Sequence, residues 1–140
     1  MAHYRGPVIL AWAEVLADGR NPGRGRNLVF HEFAHQLDML DGYINGTPLL
    51  ETAEQYQRWH DVMTKEFNRF LRVTERGRET VLDEYGAEDE AEFFAVVTEC
   101  FFDRPRALLY EYPRLYSLFR DYYRQDPAKR SGEWRMESGE

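Results

Sequence analysis

The chain has 140 residues, of which 43% are hydrophobic, 15% aromatic and 31% charged. This length suits one domain with a sizeable core, and the composition excludes a disordered chain. No apolar run reaches the roughly eighteen residues of a membrane-spanning helix, and no signal peptide is recognised, so we expect no membrane partner. The net charge of −7 argues against direct binding to nucleic acid.

The single cysteine, Cys100, excludes an intrachain disulfide and a zinc site built from cysteines. Nothing in the cysteine content indicates an oxidising compartment, so we expect a cytoplasmic protein. Any metal ion would have to be bound by His, Asp or Glu side chains. Cys100 itself lies among apolar residues, which predicts a small buried hydrophobic side chain and not a nucleophile.

The apolar residues predict a mainly helical chain with one early strand. The short apolar run at residues 8–12 is typical of a strand, and residues 18–26 are predicted to form a loop. Helices are predicted at about residues 28–40, 52–72, 88–102 and 113–123. We therefore expect an α+β fold, in which a small sheet packs on the first of these helices. Residues 1–125 should form the core domain, followed by a flexible tail at 126–140.

The first predicted helix contains the sequence H-E-F-A-H, which places His31 and His35 four residues apart. Residues at this spacing share one face of a helix, so both imidazoles can bind one metal ion. Glu32 is rotated by about 100° from His31 and can reach a metal-bound water without being a ligand. Since these polar residues interrupt an apolar segment, a pair of ordinary surface histidines is a weaker interpretation. The motif predicts a catalytic zinc site.

A catalytic zinc site needs a third protein ligand, and the sequence offers two candidates. Asp41 occupies the position of the third ligand in metzincin-type enzymes, although Asp38 stands where those enzymes have a glycine. Glu92 is surrounded by alanine, phenylalanine and valine, where a solvated acid is not expected. Asp38 and Glu99 are candidates to orient a ligand imidazole through a hydrogen bond, and an ordinary surface position is the alternative for both.

Several separated segments together resemble one known family. They read HEFAHQLD at residues 31–38, DG at 41–42, YGA at 85–87 and AEFFA at 91–95. The sequence resembles the Mlc titration factor A (MtfA) family of gluzincin-like zinc peptidases, whose catalytic core is related to that of anthrax lethal factor. The resemblance extends from about residue 7 to residue 120. Family members usually carry a long N-terminal region before this core, so we expect part of the sheet and of the substrate cleft to be missing here.

The resemblance implies a complete set of site residues. The implied zinc ligands are His31, His35 and Glu92, so that Glu92 is favoured over Asp41. Glu32 would be the general base, which takes a proton from the zinc-activated water and passes it to the leaving amine. Tyr85, seven residues before Glu92, would help to stabilise the oxyanion of the transition state.

The resemblance also implies an activity and a partner. The expected activity is aminopeptidase-like hydrolysis of a peptide or protein substrate, with Zn²⁺ as the cofactor. The expected regulatory partner is a transcriptional repressor of sugar uptake. The alternative function is a binding module that sequesters this repressor and retains a structural or vestigial zinc site. The presence of Glu32 argues against pure binding, because a structural site does not need a base.

Overall fold

The computed structural model describes residues 24–41 and 45–129 of the chain. The α-helices are α1 (Arg24–Asp38), α2 (Ala53–Glu75), α3 (Glu90–Asp103), α4 (Pro105–Glu111) and α5 (Pro113–Tyr123). Short 3-10 helices lie at Met39–Asp41 and at Glu84–Ala87. No helix within these residues is both long and apolar enough to cross a membrane.

The expected sheet on the active-site helix was wrong for this part of the chain. No residue between 24 and 41 or between 45 and 129 lies in a strand, so the described fold is mainly helical and not α+β. The helix that carries the H-E-F-A-H motif packs against α3. The face on which a sheet was expected is thus covered by α3, the most apolar of the described helices. The strand predicted at residues 8–12 lies outside the described residues.

Helix α3 forms the centre of the hydrophobic core. Every side chain from Phe93 to Thr98 is buried, and the helix packs against α1, α4 and α5. Aromatic rings join it to α2, where Phe67 and Phe70 both contact Phe93. Because α3 is fixed on several sides, the polar side chains at its ends are held in defined positions.

The buried face of α2 follows the predicted helical spacing. Trp59, Met63 and Phe70 are buried along it. The helix begins after Thr52, whose hydroxyl accepts the backbone N–H of Gln55 at 3.1 Å. The Gln55 side chain accepts the N–H of Thr52 in return, which completes a capping box and explains the predicted start.

One helix start and one additional helix differ clearly from the prediction. Helix α1 begins at Arg24 and not at residue 28, so the last residues of the predicted loop are helical. Helix α4, which begins at Pro105, was not predicted. Proline also fits the first turn of a helix, where its missing N–H is not needed. Pro105 therefore ends one helix and begins the next, as Pro113 does for α5.

The segment after α5 makes defined contacts with the core as far as residue 129. The Tyr116 hydroxyl donates to the carboxylate of Asp126 and accepts the backbone N–H of Ala128. Pro127 and Ala128 are buried. The remaining residues of the predicted tail, 130–140, lie outside the described part of the chain.

Candidate metal centre

The contact between α1 and α3 brings three potential metal ligands together. His31 and His35 project from α1 toward Glu92, which lies in the first turn of α3. The His31 Nε2 atom is 3.0 Å from Glu92 Oε1, and the His35 Nε2 atom is 3.5 Å from Glu92 Oε2. One ligand atom from each of the three side chains lies within 4.8 Å of the other two. These side chains are partly exposed, so an ion and a substrate can reach them.

The donor set and its spacing fit a zinc ion. Two imidazole nitrogens and one carboxylate oxygen form a common protein ligand set of catalytic zinc sites. For bonds of about 2.0–2.1 Å, the ligand atoms around a tetrahedral ion lie about 3.3 Å apart. The distances of 3.0 and 3.5 Å, which join the two histidines to different oxygens of Glu92, are close to this spacing, and one ligand atom from each residue lies within 4.8 Å of the others. Small side-chain adjustments would therefore suffice to bind the ion.

Glu99 lies behind His31 and faces its second ring nitrogen. The His31 Nδ1 atom is 3.4 Å from Glu99 Oε1. A carboxylate in this position favours the tautomer that has its proton on Nδ1 and leaves Nε2 free for a metal ion. The hydrogen bond to Glu99 raises the pKa of His31 above its usual value, Glu92 adds to the increase, and partial burial opposes it. This contact favours the orienting interpretation of Glu99 over the surface interpretation.

Glu32 and Tyr85 are both exposed, and Tyr85 lies near this cluster. Glu32 is an exposed residue of α1, one position after His31. Tyr85 lies in the 3-10 helix before α3, and the centres of its ring and the His31 ring are 6.1 Å apart. The negative charge of Glu92 raises the pKa of the Tyr85 hydroxyl, which can donate a hydrogen bond.

The first turn of α3 shows why Glu92 points toward α1. Asp89 caps the helix, and its side chain accepts the backbone N–H of Glu92 at 2.9 Å. The positive end of the helix dipole favours the Glu92 carboxylate in this turn. Ala91 and Phe93, on either side of Glu92, are buried in the core. Packing of these neighbours therefore directs Glu92 to the histidines.

The structure gives different positions to the other singled-out residues. Asp41 ends the 3-10 helix after α1, and its side chain is outside what the structure describes. Asp38 is fully buried, so the surface interpretation was wrong for it. His60 is exposed on α2. Cys100 is buried, as predicted, and burial raises the pKa of its thiol to about 12.

Comparison with known proteins gives a family match and several relatives. The sequence model of the glucose-regulated metallo-peptidase M90 family matches residues 1–124. An uncharacterized protein of Synechocystis sp. is 44% identical over 122 residues, which cover 87% of this chain and 44% of that protein.

Two named relatives extend the similarity. The Mlc titration factor A of Pectobacterium atrosepticum is 37% identical over 134 residues, with 93% of this chain and 49% of the relative covered. The Mlc titration factor A of Yersinia enterocolitica is 36% identical over 136 residues, which cover 96% of this chain and 50% of the relative. The chain thus spans about half the length of these curated relatives. On the family match over most of its length, and as the resemblance to the Mlc titration factor A family predicted, the chain belongs to the glucose-regulated metallo-peptidase M90 family.

Proposed function

We propose that this protein is a zinc-dependent peptidase in which His31, His35 and Glu92 bind the ion. The observation that supports this proposal best is the convergence of two imidazoles and one carboxylate within 4.8 Å. The donors come from helices that are about 60 residues apart in the sequence, as the 61-residue separation of His31 and Glu92 shows. The bound ion would polarise the peptide carbonyl and lower the pKa of the attacking water.

Glu32 is proposed as the general base. It follows a ligand histidine directly, but it is rotated away from the ligand face by about 100°. Its carboxylate is exposed and is therefore accessible to water and substrate. Glu32 would accept a proton from the attacking water and deliver it to the amine that leaves when the peptide bond breaks. A purely structural metal site would have no use for a carboxylate at this position.

Tyr85 is proposed to donate a hydrogen bond to the oxyanion that forms during the reaction. Its side chain is 49% exposed and is near the His31 ring, so it faces the space that a substrate would occupy. A tyrosine hydroxyl is ordinarily protonated in the neutral range, and the charge of Glu92 raises its pKa further. Loss of this hydroxyl should therefore reduce turnover more than it reduces metal binding.

An aminopeptidase-like preference has support from the charges beside the site. Glu88 and Asp89 are exposed, and both are close enough to Tyr85 to raise the pKa of its hydroxyl. Their negative charges would attract the ammonium group at the start of a peptide. The proposed substrate is therefore a peptide or protein with a free N-terminus. Separately, we propose that the protein acts in the cytoplasm.

A second candidate function is the binding of a transcriptional repressor. It rests on the name Mlc titration factor A, which the relatives from Pectobacterium and Yersinia carry. A pure binding module would hydrolyse no peptide, and its partner affinity would not depend on Glu32. A substitution of Glu32 therefore distinguishes the peptidase from the binding module.

The decisive variant is Glu32→Gln, which keeps the shape of the side chain and removes the carboxylate. We expect zinc content near one ion per chain in wild type and variant, because Glu32 is not a ligand in this proposal. Peptide hydrolysis should fall by about 100-fold or more, the scale for loss of a positioned general base. Metal analysis and a fluorogenic peptide assay on the same samples provide the two measurements.

Glu75→Gln is a matched control, because Glu75 is an exposed glutamate at the far end of α2. It should retain wild-type activity. Equal rates for wild type and Glu32→Gln would contradict the base assignment. A wild-type protein that binds zinc and a repressor but cleaves no peptide would favour the binding module.

A further inference from the structure

A buried aspartate ties the end of α1 to the loop that leads to α2. Asp38 is the last residue of α1, three residues after His35, and it is fully buried. Its Oδ1 atom accepts the backbone N–H of Asn45 at 3.1 Å, and its Oδ2 atom accepts that of Gly46 at 2.8 Å. The helix dipole disfavours a carboxylate at this end, and burial adds a desolvation cost. The two hydrogen bonds offset these costs and fix the loop against α1.

Gly46 connects the same loop to α2 and to α3. Its carbonyl oxygen accepts a hydrogen bond from Trp59 Nε1 at 3.0 Å. Its φ angle is +82°, and a Cβ atom at this position would lie 2.5 Å from the backbone oxygen of Glu90. Only glycine allows both this φ angle and this close approach without strain. Glu90 is the first residue of α3, two residues before Glu92.

We infer that Asp38 and Gly46 are positioning residues of the metal centre, which set the distance between α1 and the start of α3. They act by placement, because Asp38 holds the loop on the helix of the two histidines and Gly46 holds it against the helix of Glu92. The inference rests on the proposed zinc site. Zinc bond lengths tolerate deviations of about 0.2 Å, so even a 1 Å shift at the start of α3 would weaken the Glu92 bond.

Three variants test this inference. Asp38→Asn keeps one oxygen acceptor but places an amide N–H₂ group against the second backbone donor. Asp38→Ala removes both acceptors, so its effect should be larger. Gly46→Ala leaves every hydrogen-bonding group in place, but its methyl group would push the loop away from Glu90. All three leave the proposed ligands and Glu32 unchanged.

The measurements separate metal affinity from stability. The dissociation constant for Zn²⁺ is determined by competition with a chromophoric chelator, well below the unfolding temperature of each variant. We expect affinity to fall by about 10- to 100-fold, the range seen when support of a metal ligand is lost. The visible absorption spectrum of Co²⁺-loaded protein should also change, since it reports ligand geometry. Circular dichroism should show an unchanged helix content at the same temperature.

Leu108→Ala is the control for general destabilisation, because Leu108 is fully buried in α4, which carries none of the proposed ligands. It should lower the unfolding temperature while the folded protein keeps wild-type zinc affinity. The inference would be overturned if Leu108→Ala lost as much stability as the Asp38 and Gly46 variants and also lost as much zinc affinity.

Folded Asp38→Asn and Gly46→Ala proteins with wild-type zinc affinity would also overturn it, and the zinc site would stand. If Gly46→Ala does not fold, the two Asp38 variants decide. If the wild-type protein itself does not bind Zn²⁺, the proposed function is wrong, and this inference, which rests on it, is wrong as well.

Discussion

At the scale of single residues, the chemistry of His31 depends on the carboxylates at its two ring nitrogens. Glu92 faces Nε2, and Glu99 faces Nδ1. A metal ion needs the neutral imidazole with a free Nε2, whereas both carboxylates favour the protonated form when no metal is present. Glu99 thus has two effects on His31. It raises the pKa in the metal-free protein, and it orients the ring when a metal is bound.

Replacement of Glu99 by Gln should therefore lower the pKa of His31 in the metal-free protein. The protonated imidazole loses a negatively charged partner, and the ring resonances of His31 in an NMR titration report the change. The raised pKa of wild type stabilises the folded metal-free protein below pH 6.5, and this contribution disappears as the pH rises through the folded-state pKa. Glu99→Gln should reduce that acid-side stabilisation.

The same variant should bind Zn²⁺ about 10-fold more weakly than wild type, because His31 loses the partner that orients its ring. Glu79→Gln, at an exposed glutamate outside the helices, serves as the control. An unchanged His31 titration in Glu99→Gln would show that the contact at 3.4 Å has no electrostatic effect.

At the scale of the helices, local signals at the N-terminal ends of α2, α3, α4 and α5 explain where these helices begin. The capping box at Thr52 and the side-chain cap at Asp89 both satisfy N–H groups in the first turn of the following helix. At α4 and α5 no side-chain cap is present, and a proline takes the first position. Helix α1 ends with the buried Asp38, whose acceptors serve the next loop.

Thr52→Ala should destabilise the protein by about 1 kcal/mol, since the N–H of Gln55 loses its acceptor. Urea unfolding followed by circular dichroism measures the loss. Thr64→Ala, on the exposed surface in the middle of α2, should cost less or stabilise slightly, because alanine favours the helix interior. Equal losses in both variants would mean that the cap contributes nothing beyond helix propensity.

At the scale of the whole molecule, the proposed site lies where two helices distant in sequence dock. Neither α1 nor α3 holds all the ligands, so the site exists only when both pack in the native arrangement. The core around α3 supplies that arrangement, with Phe30 of α1 stacked on Phe102 of α3 at 4.9 Å between ring centres. A metal ion bound by both helices would therefore stabilise the folded state and not the unfolded chain.

Zinc should accordingly raise the free energy of unfolding of the wild-type protein. At a free concentration 100 times the dissociation constant, the increase should be about 2.7 kcal/mol. His35→Ala removes one ligand and should abolish most of this increase, because two protein ligands hold zinc weakly. Thermal unfolding with Zn²⁺, with Mg²⁺ and with a chelator provides the measurement. A zinc-independent unfolding curve for the wild type would contradict a site that joins the two helices.

The sequence by itself determined the local features of this protein. Helical spacing located α2, because one face of this helix must be apolar to be buried, whereas the signals at its ends located α3. The four-residue spacing of His31 and His35 placed both on one helix face, since that relation depends only on helix geometry. The match to family motifs distant in sequence favoured Glu92 over Asp41 and added Tyr85, which no local rule could have joined to the histidines.

Only the tertiary structure decided which elements meet. Periodicity describes one element at a time, so it could not show that α3 and not a sheet covers α1. Asp38 looked like a surface residue or a partner of a histidine, because burial is a property of the packed molecule. The same holds for Gly46, whose close approach to Glu90 depends on residues 44 positions away and on the docking of three helices.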